Sequence, residues 1–183
     1  MATNSDKLAR LHQEIRHCQR CLLWKTAKNA VPGEGPANAN VVFVGEAPGR
    51  HEDLTGRPFI GRAGKLLTQL LDGIGVKREA VFITSAVKHR PPKNRKPNPK
   101  EIGACKTWWQ KQAEMINPEL IVLLGRTASD SALGKDFWEK RGKVFREAGQ
   151  DYFITYHPAA GLRSPVKIKS ILEKDFKKLK ARF

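Results

Sequence analysis

Acidic residues are scarce in this chain of 183 residues: 18 Asp and Glu stand against 34 Lys and Arg, a formal net charge of +16. An excess that large argues against a self-neutralised surface and points to an acidic partner, with phosphate backbones the commonest example. Cysteine is sparse too, and three residues are an odd number for a disulfide framework. No apolar run approaches the roughly 18 residues of a membrane span, and Met1–Ile15 lacks the apolar centre of a signal peptide. Internal repeats and low-complexity linkers are also missing. These absences predict one intracellular, cytoplasmic domain over 1–183, with 40% hydrophobic residues to fill its core.

The apolar residues that are present alternate between two periods. Val41 to Val44 form a short continuous run, as in a strand buried on both faces, and Gly45, Pro48 and Gly49 then turn the chain. Further strands are predicted at 81–86, 120–124 and 152–156, and helices near 65–74, 101–116 and 127–133. Leu8, Leu11, Ile15 and Cys18 recur at helical spacing after a Ser5 cap. A last helix turns Ile168, Ile171, Leu172, Phe176 and Leu179 inward, with seven Lys and Arg from Lys167 to Arg182 facing water. The alternation predicts an α/β fold, a three-layer α/β/α sandwich around a four-stranded, mainly parallel sheet.

On that frame Glu46, the segment Ser85–Asn94, Gly125-Arg126 and His157-Pro158 fall at or just beyond the carboxyl ends of the four strands. Open α/β sheets hold their ligands at that edge. The Pro-rich loop of residues 88–100 carries many cations, and Lys88, Arg90, Lys93, Arg95 and Lys96 are candidate phosphate contacts. Glu46 alone reads equally well as a catalytic or a capping carboxylate.

The three cysteines suit a metal site better than a bridge. Cys18 and Cys21 form a CxxC at the end of the first helix, Cys105 lies on a later one, and His89 is the candidate fourth ligand. Spacing alone leaves zinc and an iron–sulfur cluster both open. Trp108 and Trp109 beside Cys105 are expected in the core, and His12, His17 and His51 on the surface.

Several motifs then occur in one order: GEAPG at 45–49, EDLTGRPFIGRAG at 52–64, VKHRPPKNRKPNPKE at 87–101, LG at 124–125 and HPAAGLR at 157–163. Together they closely resemble the family 4 uracil-DNA glycosylases over nearly the whole chain. The resemblance implies a DNA repair enzyme, a monofunctional glycosylase and monomer that acts on single-stranded and double-stranded DNA, flips out a deaminated base and hydrolyses its N-glycosidic bond. In that reading Glu46 activates the water, Asn94 helps hold the water or the base, and His157 donates to a base carbonyl. Phe59, displayed between Pro58 and Gly61, stacks on the base, with Gly45, Ala47 and Ser85 around it. Leu162 and Arg163 enter the minor groove, Leu162 as a wedge. A 4Fe-4S cluster is implied on Cys18, Cys21, Cys105 and the position of His89, as a Cys3His set of structural role; zinc is the alternative.

Two residues depart from the family pattern. The family's fourth cysteine is His89 here, as in a related branch that bonds covalently to the abasic sugar through a histidine in a longer loop; the short loop here has no histidine after His89, and no self-trapping is expected. The family's asparagine at the end of the second strand is Ser85, whose single hydroxyl cannot present a donor and an acceptor to the base edge together. Ser85 therefore leaves two alternatives beside uracil: action on another damaged base such as hypoxanthine, or a DNA-binding iron–sulfur module with weak or lost catalysis.

Overall fold

The computed structural model describes residues 2–183. Strands β1 (Val41–Gly45), β2 (Phe82–Ser85), β3 (Leu120–Leu124), β4 (Val144–Glu147) and β5 (Gln150–Thr155) form one sheet in the order β2-β1-β3-β5-β4. β1 pairs parallel with both β2 and β3, and β3 pairs parallel with β5. After β1 the chain goes first to one side, as β2, and then to the other, as β3. The carboxyl ends of β1 and β3 thus flank the point where strand order reverses, the usual place for a crevice.

The sheet has five strands, not four. β4 runs antiparallel to β5 through a hairpin in which Glu147 faces Gln150. Ala148 and Gly149 make its two-residue turn, both at positive φ, 46° and 83°. Its sequence signal is faint because the strand lies at the edge and buries no residue fully. The cations Lys143 and Arg146 blunt that edge against pairing with another chain.

Strand residues sort by period two into two cores. Val42, Val44, Ile121, Leu123 and Ile154 pack with α1 (Asn4–Arg16), α4 (Pro99–Ile116) and Ala128 of α5 (Arg126–Leu133). Val41, Phe43, Leu120, Val122 and Phe153 pack on the other face with α3 (Arg62–Asp72) and α7 (Ser170–Leu179). Phe43 stacks on Phe176 with ring centroids 5.8 Å apart. Ile168 and Ile171, expected inward, are half-buried. Two short helices complete the cleft edge: α2 (Arg50–Thr55) after β1 and α6 (Pro158–Arg163) after β5.

Thr3, rather than Ser5, caps α1. Its hydroxyl accepts from Asp6 N (3.1 Å) while the Asp6 carboxylate accepts from Thr3 N (2.9 Å), a reciprocal capping box. Among the described residues no helix is long and apolar enough to cross a membrane.

Candidate active site

At the carboxyl edge of the sheet lies a cleft of about 390 Å³, lined among others by Glu46, Ala47, Phe59, Ser85, Asn94 and His157. Four loops distant in sequence meet there. Glu46, directly after β1, is half-buried, and its carboxylate accepts a hydrogen bond from the Thr127 hydroxyl. Thr127 stands in the first turn of α5, after β3, so the bond spans the point of strand reversal. It fixes one carboxylate oxygen and leaves the other for a ligand.

Phe59 is not displayed to solvent as expected; the ring is only 7% exposed and forms a wall of the cleft. It lies on the Cα of Gly45, where a Cβ would stand 2.4 Å from a ring carbon. Only glycine admits that approach. Phe59 takes a left-handed backbone, φ 50°, which costs energy for a bulky residue and needs support. The Arg78 guanidinium supplies it by donating to the carbonyls of Phe59 (3.0 Å) and Pro58 (2.6 Å). The Glu52 carboxylate accepts three more bonds, from Gly49 N (3.1 Å), Ile60 N (2.9 Å) and Gly61 N (2.7 Å). Sequence reasoning singled out none of Glu52, Arg78 and Thr127. Glu52 alone carried a readable signal, since it stands at the third position of α2 in a capping arrangement with Gly49.

His157 caps α6: its Nδ1 accepts from Ala159 N at 3.1 Å. With Nδ1 engaged as acceptor, the proton of the neutral ring sits on Nε2. Burial holds the ring down at about pH 4, helped by Arg163 and opposed by Glu52. The imidazole is therefore a neutral donor at physiological pH. It lies beside Phe59 with centroids 5.5 Å apart. Gly125, at φ 89°, lets β3 approach, since a Cβ there would come within 2.9 Å of His157 Cβ.

The basic loop is more internally bonded than its charge suggests. Lys93 and Asn94 both adopt left-handed backbone (φ 53° and 56°), and Asn94 Oδ1 accepts from Arg90 Nε at 2.6 Å. Arg95 makes a two-pronged bond to Glu101 (2.9 and 2.6 Å) while still lining the cleft. Lys88, expected on phosphate, is wholly buried: its ammonium donates to Pro32 O (3.1 Å), Gln112 Oε1 (2.8 Å) and the Thr84 hydroxyl, and burial pushes it down to about 7. It cannot reach a phosphate. His12, expected on the surface, is half-buried against Gln112 at 3.0 Å. Lys93, Lys96, Leu162 and Arg163 are exposed, and Arg50 and Arg62, absent from the expected contacts, stand exposed at the cleft rim.

A family model described as the uracil DNA glycosylase superfamily matches residues 32–181. The chain belongs to that superfamily. Its curated relatives include three proteins named type-4 uracil-DNA glycosylase. The one from Saccharolobus solfataricus is 48% identical, over 96% of this chain and 86% of the relative. Those from Sulfurisphaera tokodaii and Thermotoga maritima are 46% identical (96% and 84% covered) and 41% identical (99% and 97% covered). The matched region contains all four cleft loops.

The Cys21 and Cys105 thiols lie close enough to perturb each other, and Cys18 and His89 line one cavity. Trp108 Nε1 donates to Cys18 Sγ at 3.2 Å. Among the described residues no three His, Cys, Asp or Glu side chains group closely enough to hold a single metal ion. The donor chemistry nonetheless suits a metal group, because all three thiols are free and His89 Nδ1 is buried without a partner. Burial also lowers the His89 pKa, which keeps its lone pair available.

The His157 geometry makes a prediction. Nitrogen-detected NMR at about pH 6 should find this ring neutral with its proton on Nε2, whereas an unfolded ring protonates near the ordinary histidine value. Because the folded ring resists protonation, its contribution to stability is intact above about 6.5 and declines as pH falls toward 4. A protonated His157 at about pH 6 would contradict the assignment.

Proposed function

We propose that this protein is a DNA repair glycosylase that excises uracil from single-stranded and duplex DNA and leaves an abasic site. One observation carries the reading: Glu46, Phe59, Ser85, Asn94 and His157, from four separate loops, line one cleft in a chain of this superfamily. The type-4 uracil-DNA glycosylase names of its relatives supply the substrate.

A base in a duplex must leave the stack before protein groups can surround it, at a cost of a few kcal/mol. Phe59 then offers its ring as the stacking wall, on a backbone already held by Arg78 and Glu52. As the C1′–N bond breaks, its electron pair leaves with the base and negative charge builds on a base carbonyl. The neutral Nε2–H of His157 donates to that oxygen, and a donor fixed in advance needs no reorganisation at that moment. The water oxygen bonds to C1′, and its proton passes to the Glu46 carboxylate. The same carboxylate offsets the positive charge that develops on the sugar. Asn94 positions the water or the base, held by Arg90. Leu162, 37% exposed on α6, is the wedge for the vacated stack. Lys93, Lys96 and Arg163, with Arg50 and Arg62, meet phosphates.

Cys18, Cys21, His89 and Cys105 would hold a 4Fe-4S cluster, which when bound acts as a structural clamp. Those residues tie the segment after α1 to the start of the basic loop and to α4. Lys88, next to His89, accepts from Val31 N at 2.8 Å through its carbonyl, which ties the start of the basic loop to the segment before β1.

Two outcomes follow. Base release from oligonucleotides carrying uracil or hypoxanthine should favour uracil in the wild type, and Ser85→Asn should raise that preference by roughly 5- to 100-fold, the worth of one restored two-point base contact. Release of hypoxanthine alone, or of neither base, would refute the uracil reading. Protein purified without oxygen should be brown and carry iron, with His89→Cys retaining it and His89→Ala losing it faster to a chelator. Colourless protein loaded with zinc would overturn the cluster.

A further inference from the structure

Arg126 immediately precedes Thr127, which bonds Glu46, and Tyr156 immediately precedes His157. Both therefore stand at the sheet edge that bears the cleft, at the ends of β3 and β5. Neither is among the residues that line it. Trp138 meets Tyr156 edge to face, with centroids 5.8 Å apart at 79°. Two guanidiniums share the indole: Arg126 Cζ lies 4.9 Å and Arg141 Cζ 5.2 Å from its centroid, and Arg141 also lies 4.4 Å from the Tyr156 ring. Next to them Lys140 Nζ lies 4.7 Å and 4.8 Å from the rings of Phe137 and Phe145.

Among the described residues none of Arg126, Lys140 and Arg141 enters an ion pair. Asp136 and Glu139 are near in sequence, but both are exposed and unpaired with these cations. Each cation–π contact is worth only about 0.5–1 kcal/mol at an exposed site, while two guanidiniums on one ring repel each other. Among the described residues neither guanidinium donates a hydrogen bond to a protein acceptor or enters an ion pair, so their N–H groups remain available to an acceptor. An anion with several oxygens, bound beside this pair, would offset the repulsion and satisfy those donors. Two more exposed arginines, Arg50 and Arg62, stand at the rim of the neighbouring cleft.

We propose that Arg126, Trp138, Arg141 and Tyr156 form a seat for the backbone phosphates of the DNA strand that carries the target base, beside the cleft and outside it. The identity of the strand rests on the glycosylase reading; the anion chemistry does not.

The test measures binding of a uracil-free, single-stranded oligonucleotide by fluorescence anisotropy across a range of salt, for wild type, Arg141→Gln and Arg141→Lys. Because no excision occurs, the result is independent of whether the protein releases uracil. Arg141→Gln should weaken binding several-fold at low salt and make the plot of log affinity against log salt shallower by about 0.7, the value of one phosphate contact on a single strand. Arg141→Lys, which keeps the charge, should retain the wild-type slope. A Gln variant that melts like wild type and keeps the full slope would overturn the proposal, including if a polyglutamate peptide binds this surface instead.

Discussion

The cleft depends on one contact that only a missing side chain permits, the Phe59 ring against the Cα of Gly45. That approach sets one wall of the cleft, with the Phe59 and His157 ring centroids 5.5 Å apart. Phe59 makes it from a left-handed backbone, a strain on the order of 1–3 kcal/mol. Arg78 and Glu52 offset that strain, because charged groups bonded to backbone make stronger hydrogen bonds than neutral ones. Glu52 and Arg78 thus set the position of the Phe59 wall, and Glu52 also lines the cleft. Neighbouring strand ends complete the arrangement: Thr127, in α5 just past β3, bonds Glu46, just past β1, and Gly125 lets His157, just past β5, close in.

Charge is divided between two tasks. Arg57 pairs with Glu34, Arg78 with loop carbonyls, Arg95 with Glu101, and Lys88 with buried acceptors. These cations hold the loops that shape the cleft. Arg50, Arg62, Lys93, Lys96 and Arg163 remain exposed and contribute to the positive surface that the net charge implies.

Much of this was legible in the sequence. The run Val41 to Val44 marked a strand buried on both faces, and the alternation of elements placed Glu46, Ser85, Asn94 and His157 on one edge. The fifth strand was not, because an exposed edge strand buries too little to leave a period-two pattern. Lys88 read as a surface cation since two of its three acceptors, Pro32 O and Gln112 Oε1, come from far along the chain. Phe59 read as displayed because Pro58 and Gly61 signal a turn, yet a turn can fold its ring inward when a glycine elsewhere makes room. Arg78 and Thr127 went unnoticed for the same reason: their partners are backbone groups or a carboxylate brought close only by the fold, whereas Glu52 had a local partner in Gly49 N. The motif order linked the chain to its family before any of these contacts could be seen.

The central claim is that Glu46, positioned by Thr127, is the group that activates water. Its most direct test is single-turnover uracil excision by Glu46→Gln, with DNA affinity measured on the same samples. The account predicts a loss of excision on the order of a hundredfold or more, the typical worth of a general base, with affinity nearly unchanged. Equal loss of both, or excision close to wild type, would remove Glu46 from the chemistry.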